Sequence, residues 1–202
     1  MKRRIALVGT PNAGKTALFN TLTHSHQRVA NYTGVTVESA EADFHLASGE
    51  LATLVDLPGA YSLRPYTEDE GVLTAALFGN QFDGMIVVVD ATQPARAIRF
   101  LVEVLDATSL PAVVALNMID LAIARDFEFD LAAFAELIQV PVIPTVATKR
   151  KGLKEIKQAL EDALTGQKRF KDAFLGEKRE NLSGSEVSMQ ILSFYKKSDE
   201  FF

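Results

Sequence analysis

Short blocks of β-branched and aliphatic residues alternate along this chain with longer stretches whose apolar positions recur every three or four residues. Ile5 to Val8 is a block of the first kind, closed by Gly9, and predicts a buried strand. Thr16 to Leu22 is of the second kind, with Leu18, Phe19 and Leu22 on one helical stripe. Val35 to Leu46 alternates loosely and Glu50 to Asp56 is a further strand. The turn Ala47-Ser48-Gly49 between them predicts an antiparallel hairpin. Met85 to Asp90, Ala112 to Asn117 and Val142 to Thr145 complete the set of strands. Helices are expected at about 95–108 after Pro94, near 131–138 with Asp130 as N-cap, and at about 153–164, stopped by Gly166.

Strands alternating with helices predict an α/β fold. The expected form is a mostly parallel six-stranded sheet with one antiparallel edge strand and helices on both faces. Residues 1–166 form this domain and residues 167–202 a short tail. In the tail, Ser183-Gly-Ser-Glu186 has the spacing of a capping box, opening a short helix with Val187, Ile191, Leu192 and Tyr195 on one side. Such a helix is too short to stand alone and needs a surface to pack on.

Composition narrows the chemistry. The chain has 202 residues, 48% of them apolar, enough for a core without covalent staples. It has no cysteine, which excludes disulfides, thiolate metal sites and cysteine catalysis. No apolar run approaches the ~20 residues of a membrane-spanning helix, and the basic N-terminus lacks the apolar stretch of an export signal. His24, His26 and His45 are not spaced as a metal set, and His24 and His26 fall at an exposed helix end. A net charge of −5 argues against general nucleic-acid binding.

Four segments carry chemistry. Gly9-Thr-Pro-Asn-Ala-Gly14-Lys15-Thr16 matches G-x-x-x-x-G-K-[ST] between a strand and a helix, the setting in which backbone N–H groups wrap a phosphate chain. Gly9, Asn12, Ala13, Gly14, Lys15, Thr16 and Ala17 are therefore candidate nucleotide ligands, with Lys15 reaching the β- and γ-phosphates and Thr16 an Mg2+ ion. Asp56-Leu57-Pro58-Gly59 places a carboxylate near the metal and a glycine N–H near the γ-phosphate. In Asn117-Met118-Ile119-Asp120, the aspartate suits the paired N–H donors of guanine, which adenine lacks, and Asn117 can brace the base and the phosphate loop. Val146-Ala147-Thr148 offers a small residue and a backbone N–H to a base carbonyl. Thr36 is the candidate switch threonine for Mg2+, with Thr33 its competitor. The acidic trio Glu68-Asp69-Glu70 reads as exposed loop, and the basic cluster at 149–157 as a solvated helix start.

Taken in order, these segments resemble the signatures of a translation-factor-class P-loop GTPase. Gln27 to Glu38 and Val55-Asp-Leu-Pro-Gly-Ala-Tyr-Ser-Leu63 are similar to the cytosolic G domain of the FeoB family of bacterial ferrous-iron transporters, a resemblance covering about residues 3–165. It implies GTP and GDP as ligands, Mg2+ as cofactor, slow GTP hydrolysis, and catalytic roles for Lys15, Thr36, Gly59 and Asn12. It further implies a membrane transport domain in the same polypeptide as partner, on the cytoplasmic face of the bacterial inner membrane.

The family's potassium assistance maps onto Asn12 and the carbonyls of Ala30 and Tyr32, where the family's usual glycine and tryptophan are replaced. Ala60 stands where many GTPases carry a water-orienting glutamine, which this family generally lacks. The family's helical spacer domain does not fit into the 36 residues after Gly166. Unpartnered Phe170, Phe174, Ile191, Leu192 and Phe194 motivate a homodimer, with segment exchange as one form. Two alternatives carry different expectations. A ribosome- or RNA-associated GTPase calls for a basic appendage, whereas this tail has seven basic and six acidic residues. A GTP-gated binding module with negligible hydrolysis is suggested by Ala60.

Overall fold

The computed structural model describes residues 2–24, 28–31, 38–64, 67–79, 81–166, 184–193 and 195–197. At its centre is β1 (Arg3–Gly9), flanked in parallel by β4 (Leu51–Asp56) and β5 (Gly84–Asp90). The sheet continues in parallel through β6 (Ala112–Asn117) to β8 (Val142–Pro144). On the other side β3 (Glu38–His45) runs antiparallel to β4, as the hairpin predicts. All six expected strands are present. A seventh, β2 (Arg28–Asn31), pairs antiparallel outside β3, with Ala30 opposite Ser39, so the antiparallel β3 is not itself the edge.

Strand alternation sorts the core onto two faces. Ile5, Leu7, Ile86, Val88, Val113 and Ala115 meet Leu18, Phe19 and Leu22 of α1 (Lys15–Thr23) together with Ile156 and Leu160 of a helix at Leu153–Thr165. Ala6, Val8, Met85, Val87, Val89, Val114 and Leu116 point the other way. There they meet α2 (Glu68–Phe78), α3 (Pro94–Ala107), α4 (Ile119–Ile123) and α5 (Leu131–Ile138). The helix at Leu153–Thr165 is α6. Phe19 and Phe134 anchor opposite faces and are fully buried, so truncating either to alanine costs about 3–5 kcal/mol.

Two expectations change. Glu68-Asp69-Glu70 is not an exposed loop but the first turn of α2. Glu70 N–H donates to Thr67 Oγ1 (3.3 Å), and Thr67 N–H donates to Glu70 Oε2 (3.2 Å). This reciprocal cap places the Glu70 carboxylate at the positive end of the helix and buries Glu70. In the tail, α7 (Gly184–Ser193) forms and lies along α3, but Tyr195 leaves the expected helix face. It opens β9 (Tyr195–Lys197), which pairs antiparallel with β7 (Phe127–Phe129), with Tyr195 opposite Phe129. The described part of the tail thus covers its own chain. Tyr32, Thr33, Thr36 and Phe170 to Phe174 lie outside the described residues.

Candidate functional site

The site sits where β1 ends and the chain turns into α1. After Gly9 the backbone tightens, with Ala13 N–H donating to Thr10 O (3.2 Å), and Asn12 takes a left-handed φ of 65°. Gly14 caps α1 at φ 85°, a conformation that penalises a side chain. Space adds a second demand there, because a Cβ on Gly14 would lie 2.2 Å from Asn117 Nδ2. Thr10, Pro11, Asn12, Gly14, Lys15, Thr16, Ala17 and Gly59 line a cavity of 460 Å³. A larger one of 680 Å³ lies elsewhere, between Arg3, Phe78, Phe82 and Leu164, and contains none of the motif residues.

Asp56 ends β4 beside the loop, and its Oδ1 is 2.5 Å from Lys15 Nζ, both side chains being nearly buried. Burial pushes the Asp56 carboxyl above its ordinary 3.8, while the Lys15 ammonium pulls it down and loses. Beyond Asp56, main-chain bonds stitch the segment to β1. Leu57 N–H donates to Leu7 O (3.1 Å) and Ala60 N–H to Gly9 O (3.3 Å). Gly59 lies so close to Pro11 that a Cβ would sit 3.1 Å from the proline nitrogen.

Asn117, only 2% exposed at the end of β6, joins three loops. Its Nδ2 donates to Ala13 O (3.0 Å) in the phosphate loop. Its Oδ1 accepts from Ala147 N–H (3.1 Å) and from Thr145 Oγ1 (3.4 Å). The Thr21 hydroxyl of α1 lies 2.5 Å from Ala17 O in its own helix and 3.2 Å from Ala147 O, so its one proton is shared with the same turn from the other side. Met118 takes φ 61° to start α4, which carries Asp120. Asp120 Oδ2 is 2.6 Å from Lys149 Nζ, and this hydrogen bond holds the carboxyl below its ordinary 3.8. Lys149 of the basic cluster is therefore engaged with a motif residue rather than simply solvated. Val146, Ala147 and Thr148 follow β8 in a short 3-10 turn. His24 is exposed at the end of α1, where its Nδ1 accepts from Arg150 (2.9 Å).

The structure thus brings Gly9 to Ala17, Asp56, Gly59, Asn117 to Asp120 and Val146 to Thr148 to one end of the sheet. Sequence reasoning missed the engagement of Lys149 and the grip of Thr21. Neither has a local signal, since each partner lies more than a hundred or some thirty residues away.

The family model described as Ferrous iron transport protein B matches residues 3–160. The chain belongs to the FeoB family. The Fe(2+) transporter FeoB of Escherichia coli K12 is 39% identical over 164 residues, which are 79% of this chain and 21% of that protein. The chain spans about a fifth of the length of the curated FeoB relatives it matches. Among solved structures, the cytosolic domain of L. pneumophila FeoB superposes with a TM-score of 0.75 at 37% identity, covering 79% of this chain and 63% of that one. The G domain of the T. maritima FeoB iron transporter gives 0.73 at 34% identity, covering 81% and 99%. A single-residue mutant of S. thermophilus NFeoB bound to mGDP gives 0.74 at 34%, covering 80% and 61%. Among the described residues no helix is long and apolar enough to cross a membrane.

Proposed function

We propose that this chain binds GTP and GDP and hydrolyses GTP, as the nucleotide-handling part of a ferrous-iron transporter whose membrane domain is its partner. The observation that carries the reading is the Asn117 amide, which ties the phosphate loop to the two base-side turns. GDP in crystals of the T. maritima FeoB cytosolic domain and of a mutant S. thermophilus FeoB G domain supports it. Residues 1–166 form the nucleotide domain, and residues 167–202 the tail. Asp120 accepts the paired donors of guanine after exchanging Lys149 for the base. Because Ala147 already donates to Asn117, the N–H of Thr148 serves the base carbonyl.

The donors at the phosphate end suit Mg2+: the Thr16 hydroxyl, with the Asp56 carboxylate behind it, and Thr36 from the segment that follows β2. Few protein oxygens are needed, because this ion takes most of its shell from water and phosphate. When bound, it neutralises charge on the phosphate oxygens. Lys15 moves from Asp56 to the phosphates, and the N–H of Gly59 meets the γ-phosphate while a water attacks in line. Asn12, on the rim of the cavity, is the candidate potassium ligand, with the carbonyls of Ala30 and Tyr32. Loss of the γ-phosphate frees the Thr36 and Gly59 segments, and that release is the signal to the membrane domain at the cytoplasmic face of the inner membrane.

Phosphate release from GTP at fixed Mg2+ and ionic strength, in potassium and then in sodium, tests this. Acceleration by potassium that disappears in Asn12→Ala is the expected result. Equal slow turnover in both salts removes the potassium role. Intact GTP after hours in single-turnover assays leaves a GTP-gated binding module, the reading Ala60 favours.

A further inference from the structure

The segment after Asp56-Leu-Pro-Gly59 does not end at the phosphate cavity; it runs on to α3 and is fixed there. Glu103, half-buried on α3, accepts two hydrogen bonds at Oε1, from Ser62 Oγ (2.9 Å) and from Leu63 N–H (3.0 Å). The other side of the same residue faces α2, where the single Thr74 hydroxyl proton is shared between Leu63 O (2.8 Å) and Glu70 O (2.7 Å). Nearer the start of α3, the Arg96 guanidinium lies 4.9 Å from the centre of the Tyr61 ring. Tyr61, Ser62 and Leu63 therefore each have a partner on α3, while Gly59 and Ala60 are tied to the phosphate loop. The far partner of α3 is α7, which lies along it.

We infer that Glu103 is a positioning residue of the GTPase site, and that α3 is the element through which γ-phosphate occupancy reaches the tail. The inference rests on the proposed guanine-nucleotide reading. A side-chain glutamine after the D-x-x-G segment is absent, since Ala60 stands there, so the position of the Gly59 N–H depends on how the backbone is held. On the phosphate side the holders are Pro11 and Gly9. On the other they are Glu103 and Thr74. A carboxylate accepting from a main-chain N–H and a hydroxyl at once is a strong, directional fixing point. Movement of Gly59 on gain or loss of the γ-phosphate then either pulls on Glu103 or breaks its two bonds, and α3 carries the difference to α7. A coupling of this kind requires an element whose two arrangements both sites bias.

Three measurements on the 202-residue chain test it: affinity for GDP and for a non-hydrolysable GTP analogue, steady-state hydrolysis, and amide exchange of residues 184–193 with each nucleotide. Glu103→Ala is expected to leave the GDP affinity within about twofold. It should lower the GTP-analogue to GDP affinity ratio and kcat by about tenfold each, with KM for GTP rising in step with the weaker GTP binding. It should also remove the nucleotide-dependent exchange difference in α7 that the unaltered chain shows. Glu103→Gln keeps an acceptor oxygen and should restore most of each loss. If Glu103→Ala unfolds, Ser62→Ala removes one of the two donors and should lower the ratio about threefold. Wild-type kcat and ratio in Glu103→Ala, or failure of the glutamine variant to restore them, overturns the positioning role. No exchange difference in the unaltered chain overturns the relay. No guanine-nucleotide binding by the unaltered chain overturns the underlying reading itself, an outcome distinct from both.

Discussion

The two ends of the candidate nucleotide groove are organised on different terms. At the base end, the buried Asn117 amide donates to Ala13 and accepts from Thr145 and Ala147, so the loops are joined by the protein's own hydrogen bonds. At the phosphate end, the strongest contact pairs Lys15 with Asp56, two groups that a phosphate and its metal would each claim. On the proposed reading, base recognition needs one exchange on the solvent side, Lys149 for guanine at Asp120. Phosphate recognition needs a nearly buried ion pair to be re-divided. The difference shows why such a site can hold the base side rigid and still respond to the number of phosphates. The part joined by the protein's own hydrogen bonds does not report, and the part whose charged groups a phosphate and its metal would also claim does.

The largest expected effect tests the completeness of the base end. Asn117→Ala leaves Ala13 C=O and Ala147 N–H buried without partners, at about 1–3 kcal/mol each. Thermal unfolding without nucleotide should fall by roughly 5–15 °C, and an unchanged midpoint would break the comparison. Next is Lys15→Met, which strips Asp56 of its counter-charge and costs roughly 3 kcal/mol at neutral pH. The Asp56 carboxyl is already raised above 3.8 by burial, and without Lys15 it rises further. A raised carboxyl penalises the folded state where it is ionised, so the penalty fades as pH falls through its folded value. The gap between Lys15→Met and the unaltered chain should accordingly narrow on acidification, as read in denaturant melts from pH 7 downward.

Asp120→Asn sharpens the contrast from the other side. It should weaken GDP binding by about 100-fold through loss of one paired acceptor, while the ligand-free melting point stays within roughly 2 °C. Calorimetric titration with GDP and ATP checks both affinity and guanine preference. The smallest effect is Lys149→Ala. Its amine holds the Asp120 carboxyl below 3.8, so NMR titration should show that carboxyl returning toward 3.8. A lowered carboxyl adds stability above its unfolded value and loses it as pH falls toward the folded one. Asp120 is solvent-exposed, so the melting point at neutral pH should hardly move.

Much of this was legible because local spacing and fold coincide at the motifs. Gly9 to Thr16 lies between a strand and a helix in sequence and in space, and Asp130 caps α5 as its position predicts, its carboxylate accepting from Ala133 N–H. The α2 helix was hidden by its own first turn. Three acidic residues suggest water, yet Thr67 and Glu70 stand at capping-box spacing, and that was the signal to follow. The three-residue strands β7 and β9 had no such signal, because each gains its partner only when the tail returns across the molecule. The multiple role of Asn117 was legible only in outline. Its type and place suggested a brace, but the partners are 104 residues before it and 30 after, and only the folded sheet brings them together.

The tether from Ala60 N–H to Gly9 O consists solely of main-chain atoms. It needs no side chain at position 60, and proline, which has no N–H to give, would abolish it; because Ala60 is only 2% exposed, a larger side chain there must first find room in the core. Substitution at that position is therefore limited by the space around Ala60 and not by the loss of a side-chain bond. The mechanical link belongs to the main chain, and the size of the residue decides whether the main chain can stay in place to make it.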